Sequence, residues 1–206
     1  MSSRTICWKC KGFTLVELMV VIVIIGVIGG ILFTGATYVF SQQAEKKALG
    51  QIEVLQLALE KFRSAHGDYP ETGSENEFQR SEFLVKVLYG FVDQEGDDLE
   101  YDERGMNMLP ADALDLGKMD GGKVVEYVID SESLLSGKVE DEFFAVDPWN
   151  APYVYQYPRD DGHNGFLLFS KGPDGESSVF DSELTSTPDK QNMDLDNLPS
   201  SEPGKW

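Results

Sequence analysis

A long apolar segment near the N-terminus constrains this chain more than any other feature. After Glu17 the sequence carries no charged residue until Glu45. An apolar run of about 20 residues is long enough to cross a bilayer as a helix. The short polar leader before it contains Arg4, Lys9 and Lys11. This basic bias predicts that the leader stays in the cytoplasm and that the rest of the chain lies outside.

Glu17 does not suit a simple membrane anchor, because an unpaired carboxylate is expensive within lipid. The residues around it, from Lys11, read Lys-Gly-Phe-Thr-Leu-Val-Glu. This arrangement resembles the processing site of type IV pilins and type II secretion pseudopilins. The resemblance implies that a membrane peptidase cuts between Gly12 and Phe13, removes residues 1–12 and methylates the new N-terminal amine.

The same resemblance assigns Glu17 to subunit assembly, since the family's glutamate is the fifth residue after the cut. A carboxylate at this depth needs a compensating charge. We therefore expect it to pair with the N-terminal amine of Phe13 on a neighbouring subunit. The implied fold is α+β and pilin-like, with a long N-terminal helix packed on a small antiparallel sheet.

Phe13 to about His66 is predicted to form that helix. Residues 13–40 would be its transmembrane half and 41–66 its amphipathic half. Gly67 is expected to end the helix as a C-cap. The second half carries one apolar stripe at helical spacing, made of Ala48, Ile52, Leu55, Leu59 and Phe62.

Residues 67–198 are predicted to form a globular α+β domain, followed by a flexible tail, 199–206. A polar loop is expected at Glu71–Gln79, then a helix at Ser81–Phe91 with Ser81 as its N-cap. The acidic segment Asp93–Leu116 is interpreted as an extended loop, with space for one short helix.

The predicted strands lie in the second half of the chain. Lys123–Asp130 is rich in valine, isoleucine and tyrosine and follows two glycines, which favours a strand. Further on, Tyr153, Tyr155 and Tyr157 alternate and are expected on one face of a strand. Trp149, just before them, is interpreted as a core anchor. Phe166–Ser170 is the last predicted strand.

Residues Asp147–Tyr155 read Asp-Pro-Trp-Asn-Ala-Pro-Tyr-Val-Tyr, which resembles a stretch of the major pseudopilins of type II secretion. Gly172–Gly175 resembles the turn that opens a calcium loop in that family, although Ser177-Ser178 stands where the family usually has two glycines. A hard cation such as Ca²⁺ takes six to eight oxygen ligands. The ligands implied by the resemblance are Asp174, Asp194, Asp196, the backbone carbonyl of Lys171 and, as a further carboxylate, Asp181.

Composition narrows the possible functions. The formal net charge of −19 argues against nucleic-acid binding, which needs a basic surface. Cys7 and Cys10 form a Cys-x-x-Cys pair, a spacing found in redox and zinc sites. Both lie in the leader, so cleavage after Gly12 would leave a protein without cysteine.

The predicted function is a structural, non-enzymatic subunit of a type II secretion pseudopilus, assembled from the bacterial inner membrane into a helical filament. The implied partners are other copies of the chain, minor pseudopilins, the prepilin peptidase and the inner-membrane secretion platform. Two alternatives remain open: a true type IV pilin, and a membrane-anchored binding module or hydrolase with a pilin-type leader. A substrate-sized pocket with converging polar groups would favour the last alternative.

Overall fold

The structure is a computed structural model that describes residues 14–73, 76–99, 107–110, 112–129, 142–159, 164–178, 194 and 196–199; within 31–38 it describes only the backbone. The fold is α+β, with two helices and five short strands in the described ranges. The chain divides into two compact units, residues 1–43 and 44–206. Helix α1, Leu15–His66, contributes to both units.

In the first unit, helix α1 carries large apolar side chains that are exposed throughout the stretch from Leu15 to Ile28. Where side chains are described, no helical stretch is both long and apolar enough to cross a membrane. The predicted start of the helix at Phe13 lies outside the described residues, and Thr14 directly precedes the first helical residue.

In the second unit, the predicted apolar stripe of α1 is confirmed, since all five of its residues are at most 3% exposed. They share one core with α2 and the strands. Helix α1 ends at His66, and the following Gly67 has a positive φ of 94°. Its N–H donates to the carbonyl of Arg63 at 2.8 Å, as expected of a helix C-cap.

Helix α2 spans Glu77–Tyr89, so the predictions of a loop as far as Gln79 and of Ser81 as N-cap were wrong. The cap is Asn76, whose side chain accepts from the Gln79 N–H at 3.0 Å, while the Gln79 side chain accepts from the Asn76 N–H at 3.2 Å. This reciprocal capping box satisfies two backbone donors of the first turn. Ser81 lies inside the helix, fully buried, and its hydroxyl donates to the Ala145 carbonyl at 3.3 Å.

A three-stranded antiparallel sheet has the order β2-β1-β3, with β1 at Asp115–Asp120, β2 at Lys123–Tyr127 and β3 at Phe144–Val146. The strand predicted from Lys123 is confirmed as far as Tyr127. Strand β1 begins inside the segment predicted as a loop, so that prediction was wrong at its C-terminal end.

Strand β1 is difficult to predict from the sequence because Gly117 lies near its centre, and glycine usually weakens a strand. In the fold this glycine lies between the side chains of Val124 and Val146. An added Cβ would come within 2.8 Å of a methyl group of each valine. Close packing of three strands therefore requires a glycine here.

A second antiparallel sheet pairs β4, Val154–Gln156, with β5, Leu167–Phe169. The strand predicted at Phe166–Ser170 is thus confirmed in its central residues. Tyr153 and Tyr155 are both fully buried, but Val154 and Gln156 between and after them are buried as well, so burial does not test the predicted alternation. Tyr157 lies beyond the end of β4 and is partly buried. Trp149 is only partly buried and packs against the edge of the core.

Candidate functional site

The first candidate site lies at the start of α1, where Thr14 and Glu17 cap the helix. One oxygen of the Glu17 carboxylate, Oε2, accepts from the Thr14 N–H at 2.9 Å and from the Thr14 hydroxyl at 2.8 Å. The Glu17 N–H in turn donates to the Thr14 hydroxyl oxygen at 3.2 Å. Together these contacts form a capping box.

The capping box shows that Glu17 already has a role within its own chain. The carboxylate compensates the unpaired N–H groups and the positive end of the helix dipole. Reasoning from the sequence missed this role, although Thr-x-x-Glu before an apolar run is its known signal. The predicted processing residues Gly12 and Phe13 lie outside the described residues.

The residue that precedes β4, Tyr153, is tied to α1 by a partly buried polar network. The Tyr153 hydroxyl donates to Gln51 Oε1 at 2.7 Å, and Gln51 Nε2 donates to Asp115 of β1 at 3.0 Å. Asp115 also forms an ion pair with Lys47. The network therefore joins α1, β1 and the start of β4.

The same ion pair faces a surface groove of about 580 Å³, lined along one side by β2 residues. Such a groove is large enough for a small ligand. The Asp115 carboxylate in the groove wall is already engaged, because it binds both Lys47 and Gln51. The groove therefore gives no specific support to the binding-module alternative.

Asp147, the first residue of the Asp-Pro-Trp motif, is a buried carboxylate only 1% exposed. Its Oδ1 accepts from the N–H groups of Trp149, at 3.0 Å, and Ala151, at 2.9 Å, which closes the turn between β3 and β4. Its Oδ2 accepts from the Ser170 hydroxyl at 2.6 Å. Burial raises the pKa of Asp147, and the hydrogen bonds to Ser170, Ala151 and Trp149 partly oppose this rise.

Ser170 links Asp147 to the turn at Gly172–Gly175, because its hydroxyl group bonds to both. Its hydroxyl oxygen accepts from the Gly172 N–H at 3.1 Å, and the predicted turn is closed by a bond from the Gly175 N–H to the Gly172 carbonyl. Gly172 has a φ of +72°, and an added Cβ would lie 2.2 Å from the Asp196 carbonyl oxygen. Only glycine allows both this conformation and this close approach.

The second candidate site is the predicted calcium loop, and the structure brings two of its residues together. Asp196 Oδ2 accepts from the Asp174 N–H at 3.2 Å. Partial burial raises the pKa of Asp196; the hydrogen bond from the Asp174 N–H partly opposes this rise, and the negative charge of Asp174 adds to it. A cation between the two carboxylates would remove this repulsion.

Asp194, the third predicted carboxylate, is buried and lies among hydrogen-bond donors. It accepts from the hydroxyl groups of Ser177 and Ser178, from the Ser178 N–H at 2.9 Å and from Asn197 Nδ2 at 3.0 Å. These bonds link the residues after the turn to the C-terminal segment. The Ser177-Ser178 pair, which departs from the family pattern, thus supplies donors to the loop.

The remaining predicted ligands are less defined. The Lys171 ammonium forms an ion pair with Glu77 at the start of α2, so this side chain points to the helix. Asp181 lies outside the described residues. Among the residues that the structure describes, no three His, Cys, Asp or Glu side chains are grouped closely enough to hold a metal ion.

Asn197, whose side-chain nitrogen donates to Asp194, also carries a buried oxygen. Asn197 is fully buried, and its Oδ1 has no hydrogen-bond partner in the described part of the chain. Its Nδ2 donates to Asp194 Oδ1 and to Ser177 Oγ, which fixes the orientation of the amide. Its Oδ1 is therefore a buried acceptor whose partner the described residues do not supply.

The chain is similar to known proteins at its N-terminus and over most of its length. Residues 9–33 match the family described as the prokaryotic N-terminal methylation motif, a range that includes Gly12, Phe13 and Glu17. Over 173 residues the chain is 28% identical to the type II secretion system core protein G of Escherichia coli (strain K12), covering 84% of this chain and 88% of that protein. No solved structure matches. The resemblance inferred from the two sequence motifs is confirmed by these matches.

Proposed function

We propose that this chain is a structural subunit of a type II secretion pseudopilus. The observation that carries the proposal is the similarity to core protein G, which extends over most of both chains and is joined to an N-terminal methylation motif. The role is assembly into a helical filament that drives protein export. Its partners would be further copies of the chain, minor pseudopilins, the prepilin peptidase and the inner-membrane platform.

We further propose that residues 13–40 hold the subunit in the inner membrane before assembly, with the leader cytoplasmic and the second unit periplasmic. The uncharged sequence between Glu17 and Glu45 supports this placement. Cleavage between Gly12 and Phe13 would then leave the apolar helix on the mature protein.

Replacing Gly12 tests the processing step. Gly12→Leu should leave the precursor uncut, because the peptidase must approach the backbone closely at the cut. Intact-mass analysis of the membrane fraction should show wild-type chains beginning at a methylated Phe13 and variant chains retaining Met1. A wild-type protein that retains Met1 would contradict the proposal.

For assembly, we propose that Glu17 pairs with the Phe13 amine of a neighbouring subunit. The capping box uses Glu17 Oε2, so the same carboxylate would serve both its own helix and the neighbour. Glu17→Ala should still be inserted and cleaved but should assemble poorly. Glu17→Gln, which keeps the oxygen and loses the charge, is the matched control.

The yield of sheared or cross-linked filaments, relative to total cleaved subunit, separates the two variants. If capping alone matters, Glu17→Gln should assemble like the wild type, because its side chain can still accept from Thr14. If the ion pair matters, both variants should fail. Filaments at the wild-type rate from Glu17→Ala would refute any assembly role.

We also propose that the C-terminal loop binds Ca²⁺, supported by the repelling pair Asp174 and Asp196 and by the buried, unpartnered oxygen of Asn197. Binding to the folded state alone would add about 2.7 kcal/mol at a hundredfold excess over Kd. The melting temperature of calcium-chelated protein should therefore rise with Ca²⁺, and more than with Mg²⁺.

Asp174→Ala should abolish this rise. Asp120→Ala is the matched control, since Asp120 is an exposed aspartate at the end of β1 and its loss should leave the calcium response intact. An unchanged wild-type melting temperature across a calcium titration would refute the site.

A further inference from the structure

The β1–β2 hairpin ends in a short tip, residues 118–123, in which every residue after Lys118 is exposed. Strand β1 ends at Asp120 and β2 begins at Lys123, so two glycines form the whole loop. Their φ angles, 56° and 81°, are both positive, as a two-residue type I′ turn requires. Such a turn fixes the register of its strands, so the side chains of the hairpin tip have defined positions.

The hairpin tip is basic and carries an exposed apolar side chain. Its charged residues are Lys118, Lys123 and Asp120, which give it a charge of +1 in a chain of net charge −19. Met119 is 49% exposed. Because it pairs with Val124, Met119 lies on the opposite face of the hairpin from Lys123. The tip thus presents a cation and a flexible thioether, a side chain common at binding surfaces.

A groove of complementary character, the acidic groove, has a volume of about 340 Å³. Asp93 and Glu95 lie on its rim, and the six residues from Asp93 contain four acids and no base. Asp93 Oδ1 accepts from the N–H groups of Glu95 and Asp97 at 3.0 and 2.8 Å, which orders this rim. The apolar lining residues are Phe62, Val87, Val92, Leu99 and Met108.

The hairpin tip and the acidic groove lie at opposite ends of α2. Met119 shares a surface pocket with Asn76 and Gln79, at the start of this helix. The groove is instead lined by Val87 and Gly90, at its end. A helix of 13 residues rises about 20 Å. Most of this length separates the two features within one subunit, so a contact between them requires a second copy of the chain.

We propose that the hairpin tip of one subunit docks into the acidic groove of the next copy of the chain. Met119 packs on the apolar lining, and Lys123 lies against the acidic rim. A contact between two different patches of one chain is head-to-tail, and it builds an open helical filament when the rotation does not close. The inference rests on the proposed pseudopilus function and names a contact between the folded second units of neighbouring subunits.

Paired cysteines test the contact directly, because the chain cleaved after Gly12 would have none of its own. Asp120→Cys and Gln94→Cys, at two exposed positions, put one thiol beside each patch. Oxidation of filaments built from the double variant should give a ladder of dimers, trimers and longer chains. Each single variant should stop at dimers, since one thiol joins only two subunits.

The matched control combines Gln94→Cys with Asp112→Cys. Asp112 is also an exposed aspartate, but it precedes β1 and so lies at the opposite end of this strand from the hairpin tip. This pair should give no ladder. A ladder as strong as that of the first pair would show that the thiols meet by random collision, and it would overturn the inference.

Reversing the charges gives a second test, measured as filament yield relative to total cleaved subunit. Lys123→Glu should lower the yield roughly tenfold, because like charges facing each other across an interface are strongly unfavourable. Glu95→Lys should do the same, and the two changes together should restore assembly. Both residues are exposed, so urea unfolding of each variant should stay close to that of the wild type.

The outcomes separate this contact from the proposed function on which it rests. If the wild type forms no filaments, the proposed pseudopilus function fails. If the wild type assembles but the first cysteine pair gives no ladder, or both charge variants assemble normally, the hairpin-to-groove contact is wrong. Cross-linking of the groove thiol to another protein, in place of a second copy, would overturn it as well.

Discussion

Replacing Asp147 with alanine should destabilise the second unit strongly, because three donors lose one shared acceptor. Two are the backbone N–H groups of Trp149 and Ala151, and the third is the buried Ser170 hydroxyl. A buried donor left unpaired costs about 1–3 kcal/mol. Removing the carboxylate also removes the free-energy cost of burying its charge, the same burial that raises the pKa of Asp147, and this offsets part of the loss. We therefore expect a net loss of about 3 kcal/mol.

The matched variant is Asp147→Asn, which keeps Oδ1 as acceptor for both N–H groups and changes only the contact with Ser170. We expect it to cost about 1 kcal/mol. Urea unfolding of residues 44–206, followed by near-UV circular dichroism, should measure both values. A loss below about 0.5 kcal/mol for Asp147→Ala, typical of a surface substitution, would refute the reasoning.

The pH dependence gives an independent test of the same residue. Because burial raises the pKa of Asp147 in the folded state above its ordinary value of 3.8, the folded protein takes up the proton at a higher pH than the unfolded chain. The stability of the wild type relative to Asp147→Asn should therefore increase as the pH falls through the raised pKa towards 3.8. A constant or shrinking difference would contradict the raised pKa.

Three further substitutions test the packing of the second unit, each by urea unfolding. Gly117→Ala should cost about 1–3 kcal/mol, because its Cβ would meet two valine methyl groups at 2.8 Å, whereas Gly50→Ala, with open space around it on α1, should stabilise by about 0.5–1 kcal/mol. Tyr153→Phe should cost about 1–3 kcal/mol, since Gln51 Oε1 loses its donor at 2.7 Å. Asn76→Ala should cost about 1 kcal/mol through the lost cap. Equal effects of Gly117→Ala and Gly50→Ala would contradict the described packing of β1.

The parts of the fold that the sequence predicted are those with a strong local signal. The apolar stripe of α1 repeats at helical spacing over several turns, and all five of its residues are buried. Such a pattern can be recognised from the sequence alone, because residues at helical spacing lie on the same face of a helix. The strand predicted at Phe166–Ser170 is likewise present as β5 in its central residues.

The missed features depend on contacts between distant residues. Strand β1 contains Gly117, whose place in a strand is explained only by Val124 and Val146 on the strands beside it. Ser81 resembled an N-cap, yet its partner is the Ala145 carbonyl, 64 residues away. Asp147 belonged to a recognised motif, but its bond to Ser170 cannot be predicted from either segment alone.

The ends of the C-terminal loop are fixed independently of any cation, which predicts a local response to calcium. Ser170 and Leu198 exchange two backbone hydrogen bonds, at 2.8 and 2.9 Å, and Asp147 holds Ser170 from the core side. The loop residues Asp174 and Ser178 instead donate their N–H groups to the carboxylates of Asp196 and Asp194, the groups that a cation would engage.

If the loop binds Ca²⁺ as proposed, its removal should increase amide hydrogen exchange at Asp174 and Ser178 and leave it slow at Ser170 and Leu198. Local opening of this kind requires less free energy than global unfolding, so the near-UV signal of the core should persist in chelated protein. Faster exchange at all four amides together would show that the cation supports the whole second unit. The polar link through Asp147 would then be too weak to hold the base of the loop.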